Sequence, residues 1–306
     1  LDAVLSSGKQ HTSRHCKAAL QRLLDELGAQ APALVRGDCG YGNEDIIDIC
    51  EQRGVPYLLR LRQTANVKRL IERLFRREGW TRPTTLSQGW QAIDDELRLL
   101  GWSKARRVVV LRRRIRRDVA LQTRTANGQL LLALAHDEVQ DNAKLWEYMV
   151  LVTNAAYGIE AIGQLYRDRC DCENSFDELK NQWGWSGFTT HDMQRSQIMA
   201  RAVALVYNWW SWYVRAANPG ARREALTSRP LLLAAVGRAA TSGGQTTLYL
   251  TPMHADVGLI KSMIANVHAA VAHVRRTAEQ LPGLDRWRAL LHYICQRIVG
   301  PPTLPT

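Results

Sequence analysis

No stretch of this sequence reads as a membrane span. The longest uncharged apolar run, Ala202 to Val214 in "RAVALVYNWWSWYVR", has 13 residues and is bounded by Arg201 and Arg215. A bilayer needs about 20, so the run predicts a buried helix instead. The opening "LDAVLSSGKQ" lacks an initiator Met, a basic n-region and a signal-peptide core, so the expectation is a chain cut from something longer. Six cysteines, at 16, 39, 50, 170, 172 and 295, form neither a CxxC pair nor a zinc-finger spacing. That excludes a finger and predicts structural thiols in a reduced, cytoplasmic compartment. Cys170 and Cys172, two apart on a predicted helix, point about 200° from each other and do not share a metal. No internal repeat and no low-complexity segment is present.

Acidic residues are the scarcer charge: 29 Asp and Glu stand against 41 Lys and Arg, a formal +12 with a pI near 9.7. A surface of this kind attracts polyanions. Nucleic acid is the commonest of these for a basic globular protein; anionic membrane surfaces and acidic proteins share the electrostatics. With 306 residues, 46% of them hydrophobic, the chain can bury a sizeable core, either one core carrying an insertion or two domains.

In "CKAALQRLLDEL", residues 16–27, apolar positions recur at helical spacing, and Gly28 stops the helix. "PALVRGD" then reads as a short strand, "NEDIIDICEQRG" as a helix opened by Asn43 and closed by Gly54, and "VPYLLRLR" as a second strand, together a parallel strand-helix-strand unit. "NVKRLIERLFRRE" is a basic amphipathic helix, with Val67, Leu70, Ile71, Leu74 and Phe75 on one face and Lys68, Arg69, Arg73, Arg76 and Arg77 largely on the other. From about Trp80 to Gly158, segments such as "ARRVVVLRRRI", "QLLLALA" and "YMVLVTN" predict a β-rich insertion. Helical periodicity resumes at Ile159 and dominates to the end.

Two motifs carry chemistry. On a single helix with Tyr166 at 0°, Arg169 falls near 300°, Glu173 near 340° and Lys180 near 320°, an arc about 60° wide over roughly 21 Å. Such a stripe suits an anionic substrate brought to a metal: the carboxylate ligates a divalent cation and the other groups hold phosphate oxygens. The plain alternative is a solvated face with an Arg169–Glu173 pair worth a few tenths of a kcal/mol. In "LVRGDCGYGN", Asp38 stands where a strand ends, followed by Gly40 and Gly42, which allow a tight turn. Ligands of open α/β sheets gather at that end of a strand; the alternative is a turn or capping aspartate.

Together these motifs resemble bacterial insertion-sequence transposases of the DDE class with the YREK signature. The spacing Tyr166, two residues, Arg169, three residues, Glu173, six residues, Lys180 matches that signature. "RGDCGYG" is similar to the segment around the family's second catalytic aspartate, and "LVTN", "WGW" and "LVYNWW" agree with its surroundings. The resemblance runs from about residue 5 to 215. It implies an RNase H-like catalytic core (1–79 and 159–215) interrupted by a β-rich insertion (80–158) and followed by a helical C-terminal region (216–306), an α/β fold. Asp38 and Glu173 would then be catalytic carboxylates holding two Mg²⁺ or Mn²⁺ ions, while Tyr166, Arg169 and Lys180 contact backbone phosphates of double-stranded DNA. The implied partners are the element's inverted repeats and target DNA, with a homodimer in the DNA complex, no membrane, and a nucleoid-associated cytoplasmic location. The family's first aspartate lies on an opening strand well upstream of the second. Here only Asp2 and Asp25 precede Asp38, Asp25 sits in a helix, and "LDAVL" resembles the last of three strands. No first aspartate is assigned, and the chain on its own is expected not to cleave DNA.

Other residues carry less. Asp177 suits a solvated position, Trp209, Trp210 and Trp212 suit a helix core better than base stacking, and His11 and His191 read as structural. Arg106, Arg107 and Arg112 to Arg114 suit either phosphate binding or an exposed charged edge strand. Two competing functions remain: a non-catalytic DNA-binding remnant, and a binder of anionic membranes or acidic partners through the helix at 66–78.

Overall fold

A computed structural model describes residues 4–5, 12–83, 86–114, 146–233, 237–250, 256–278 and 281–299. These fall into two compact units, one within 6–171 and one within 172–306 that also includes residues 4 and 5.

The first unit opens with α1 (Thr12–Leu27), β1 (Val35–Gly37), α2 (Glu44–Gln52), β2 (Tyr57–Arg60) and α3 (Ala65–Phe75). Asn43 caps α2 by accepting from the Ile46 amide, and Gly54 leaves the helix at a positive φ of 65°. β1 and β2 pair in parallel, Val35 opposite Tyr57, as the strand-helix-strand pattern predicts. β3 (Gln91–Leu97), β4 (Arg106–Arg114) and β5 (Trp146–Thr153) follow, and α4 (Ile159–Arg167) closes the unit.

All five strands form one mixed sheet in the order β1-β2-β5-β4-β3, in which only β1 and β2 are parallel. The fold class is therefore α/β. The β-rich segment at 80–158 contributes β3, β4 and β5, which extend the sheet begun by β1 and β2. The expected segment "QLLLALA" lies outside the described residues.

The sheet is apolar on both faces because its strands alternate between two cores. Val108, Val110, Val150, Val152, Tyr57 and Leu59 point to the side covered by α2 and α3. Val109, Leu111, Leu151 and Leu58 point to the opposite side, where Ile162 and Tyr166 of α4 pack. Each such fully buried side chain contributes about 1.5–3 kcal/mol of transfer free energy.

This arrangement corrects the reading of the arginine-rich strand, because β4 lies between β5 and β3 and is not an edge. Arg106 is 4% exposed and donates to Glu44 and Glu51. Arg107 pairs with Asp94 and Arg113 with Glu147. Arg112 sits 3.8 Å from the Trp80 ring centroid and 4.7 Å from that of Trp146. These four guanidiniums are spent on internal partners.

The second unit contains most of α5 (Cys170–Gln182), then α6 (Met193–Ala217), α7 (Ala225–Leu232), the hairpin β6 (Gly237–Ser242) and β7 (Gln245–Leu250), α8 (Val257–Ala278) and α9 (Gly283–Val299). The hairpin departs from the helical C-terminal region expected from sequence. Gly243 and Gly244, at φ of 59° and 77°, make its two-residue turn, a conformation that demands left-handed backbone at both positions. Ala216, Ala270 and Ile294 join α6, α8 and α9 in one core, to which Trp212 and Tyr293 add.

Helix α6 is only partly the buried helix predicted. Ala200, Ala204, Tyr207 and Val214 are covered, whereas Ile198, Leu205 and Trp209 are exposed. Trp210 donates to the Ser228 hydroxyl at 2.9 Å. Contrary to the reading of uncharged runs, one segment, Val257–Arg276 in α8, is long and apolar enough to cross a membrane by length and composition. Lys261 hides it from a search for uncharged stretches. In the fold, Asn266 of this helix donates to the Ala217 carbonyl of α6 at 2.9 Å, and Arg297 of α9 donates back to Asn266 at 3.1 Å.

Candidate active site

Asp38 directly follows Gly37, the last residue of β1, at the carboxyl end of the parallel pair. The chain turns at once: the Tyr41 amide donates to the Asp38 carbonyl at 2.9 Å, and the Asn43 side chain donates to the Gly40 carbonyl at 3.2 Å. The glycines that matter here are 37 and 42. A Cβ on Gly37 would stand 2.8 Å from Leu59 Cδ2, and one on Gly42 would stand 2.6 Å from the Arg60 carbonyl oxygen. The loop is thereby pressed onto the end of β2. Gly40 has no atom within 4 Å of such a Cβ and no positive φ, so the expected role in a tight turn falls to its neighbours. Asp38 is half-buried, and its Oδ1 accepts from the Cys39 amide at 2.7 Å.

Tyr166, on α4, comes close to this loop from the opposite sheet face. Arg36 of β1 donates to the Leu165 carbonyl at 2.6 Å, which fixes the end of α4 beside β1. The Tyr166 side chain is 3% exposed and packs with Leu58, Trp90, Val109 and Leu151. Burial raises its phenol pKa; Arg169 and Arg60 act against that rise and Asp38 adds to it. Asp38, Tyr166, Arg60 and Arg169 therefore share one electrostatic neighbourhood. The Arg169 guanidinium carbon is 5.3 Å from the Tyr166 ring centroid. Tyr166, expected to touch a DNA phosphate, is buried in this core with its ring beside the Arg169 guanidinium.

The single stripe predicted from Tyr166 to Lys180 is interrupted. Helix α4 ends at Arg167, and α5 begins at Cys170. At the break the Arg169 amide bonds three residues back, to the Tyr166 carbonyl, at 3.1 Å. A constant 100° step thus fails across residues 168 and 169. Asp38, Tyr166 and Arg169 belong to the first unit, and Glu173 and Lys180 to the second. Within α5, Glu173 and Lys180 are seven residues apart, about 20° in angle, and both are exposed.

The face they occupy is set by the buried side of α5, where Leu179 is fully covered and Glu178 is 4% exposed. Glu178 accepts from the Ala225 amide at 2.8 Å, from Arg222 at 3.3 Å and from the Trp183 indole at 3.4 Å. It anchors α5 to the start of α7. Sequence reading passes over it, because its partners Arg222 and Ala225 lie 44 and 47 residues further on.

Several other expected residues have plain roles. Asp177 is exposed and accepts from Asn181, and His191 is exposed. Asp25 pairs with Arg53 on the surface, while Asp2 and His11 lie outside the described residues. Cys39, Cys172 and Cys295 are exposed, so burial does not account for them, whereas Cys50 is buried and its thiol is pushed up to about 11, by desolvation first.

Asp38 and Glu173 are hard oxygen donors of the type that Mg²⁺ and Mn²⁺ prefer. Among the described residues no three Asp, Glu, His or Cys side chains are grouped to hold an ion. The oxygen chemistry of each carboxylate is of the kind a divalent cation takes.

The family model for the transposase DDE domain, group 1, matches residues 1–272. The chain belongs to this family. No curated protein matches it. As a DDE transposase domain it falls among proteins of DNA transposition and recombination, whose general chemistry is divalent-metal-dependent DNA cleavage and strand transfer.

Proposed function

We propose that this chain carries the catalytic core of an insertion-sequence transposase, RNase H-like in architecture, which binds the inverted repeats of its element as a homodimer in the cytoplasm, at the nucleoid. The observation that carries the reading is Asp38 at the carboxyl end of β1, in the same charged neighbourhood as Tyr166 and Arg169 of the YREK-spaced motif. Asp38 and Glu173 are the carboxylates that would hold the divalent ions. When bound, a pair of Mg²⁺ or Mn²⁺ ions supplies an activated water or 3′-hydroxyl and stabilises the leaving oxygen of an in-line phosphodiester displacement. Arg169 and Lys180 grip backbone oxygens of the end duplex, and the buried Tyr166 ring holds the Arg169 guanidinium in place.

The test uses the protein as its element encodes it, with DNA carrying the element's ends. Glu173→Gln and Asp38→Asn each keep the shape of the side chain and remove its charge. Both variants should bind the ends like wild type and lose Mn²⁺-dependent cleavage by at least about a hundredfold, the size of loss seen when one strong transition-state interaction is removed. Near wild-type cutting by either variant would refute that residue's assignment. End-binding without cleavage by the wild type itself would favour the non-catalytic DNA-binding reading.

A further inference from the structure

We infer that the outward face of α3 is a second contact for the backbone of duplex DNA, on the side of the sheet opposite Tyr166 and Arg169. The inference rests on the DNA-binding reading above and adds a surface to it. Val67, Leu70, Ile71 and Leu74 of α3 are 0–6% exposed and form part of the core under β2, β4 and β5. With Arg69 at 0°, Arg73 and Arg76 fall near 40° and 340°, and the buried residues centre near 150°. Three arginines thus form one ridge facing away from the sheet.

Across residues 62–82 the chain carries seven Lys or Arg against two Glu. Arg62, Arg69, Arg76 and Arg82 are exposed. Arg73 and Arg77 share one carboxylate, Asp95, at 2.6 and 3.7 Å. Like charges at i, i+4 and i, i+3 each cost an isolated helix a few tenths of a kcal/mol. Glu72, exposed near 300°, stands beside the ridge at i, i+4 to Arg76, but seven cations against two glutamates leave the face with a net positive charge, which points to an anionic partner.

The dimensions suit a nucleic-acid strand. Arg69 and Arg76 are about 10 Å apart along the helix, close to the axial length of three phosphates at roughly 3.4 Å each. Guanidinium forks bind phosphate oxygens two at a time. A membrane partner fits less well, because a helix lying in a lipid interface inserts its apolar face, and here that face is already sealed against the sheet.

The experiment measures binding of the 306-residue chain to a random-sequence duplex by fluorescence anisotropy between 50 and 200 mM salt. Arg69→Gln with Arg76→Gln should lower the slope of log affinity against log salt by about 1.8, two phosphate contacts at about 0.9 each. Arg275→Gln with Arg276→Gln, the same charge change on exposed residues of α8, should lower it by less than half as much. Circular dichroism checks the fold, and if that pair unfolds, Arg69→Gln alone takes its place with an expected drop of about 0.9. An unchanged slope in the α3 variant of a DNA-binding wild type overturns this inference alone. A wild type that binds no duplex overturns both this inference and the DNA-binding reading. Equal losses in the two pairs, or α3-dependent binding to phosphatidylserine vesicles in preference to duplex, overturn it as well.

Discussion

Replacing Arg106 with Met should destabilise the first unit more than any single surface change. The guanidinium is almost fully covered and bridges two carboxylates of α2, donating to Glu44 at 2.5 and 3.1 Å and to Glu51 at 2.9 and 3.2 Å. It also lies 5.2 Å from the Trp102 ring centroid. Removing it leaves Glu51 with Lys104 and Tyr57, and Glu44 with the Ser103 amide. Breaking a buried pair by deleting one partner costs roughly 3–5 kcal/mol. Glu44 retains 29% exposure and recovers some hydration, so the lower figure of about 3 applies. At about 2–4 °C per kcal/mol for a unit of this size, Tm should fall by roughly 6–12 °C.

The same network sets an acid limit. Arg106 is the main cause that holds the Glu51 carboxyl down at about 2, below the ordinary 4.5. Glu44 is also lowered: burial pushes it up, and the hydrogen bonds from Arg106 and Ser103 outweigh that. Because these folded-state values are depressed, the stabilisation is complete above about pH 4.5 and is lost as pH falls toward 2. The Glu51 share is on the order of 2–3 kcal/mol. Thermal melts from pH 7 to pH 2 should show that acid slope in wild type and a shallower one in Arg106→Met. A variant within about 1 kcal/mol of wild type at pH 7, with the acid slope intact, would refute the reasoning.

Two further substitutions probe the supports of the candidate site. Gly42→Ala places a methyl 2.6 Å from the Arg60 carbonyl oxygen, a backbone atom that yields little. It should cost about 1–3 kcal/mol and reduce cleavage by displacing the Asp38 loop; an unchanged Tm would show that the loop yields freely. Glu178→Ala strands the buried Ala225 amide and removes the acceptor for Arg222 and Trp183, a cost of about 3 kcal/mol in a denaturant melt, while Glu178→Gln should cost less than half of that. Equal losses in the two variants would mean that the charge, not the hydrogen-bond geometry, anchors α5.

What the sequence by itself determined is local. The Asn43 cap, the Gly54 exit and the 3.6-residue period of α3 are settled within a turn or two of chain, so the parallel β1-α2-β2 unit and the position of Asp38 at a strand end could be read directly. The fixed spacing from Tyr166 to Lys180 and the "RGDCGYG" segment likewise pointed to a DDE-class transposase, and the match over residues 1–272 bears out that class. The Gly243–Gly244 turn is a local signal too, but the strong helical periodicity on both sides conceals it. Tertiary structure decided the rest, because the deciding partners are remote in sequence. Whether β4 is an edge or a centre depends on β5, paired across dozens of residues, and so does the fate of its arginines as internal ion partners instead of phosphate ligands. The burial of Tyr166 follows from packing with Leu58, Trp90 and Leu151. A pattern of residue types reports which face of a helix is apolar; only the packed neighbours determine whether a polar group on it meets water, a counterion or a ring.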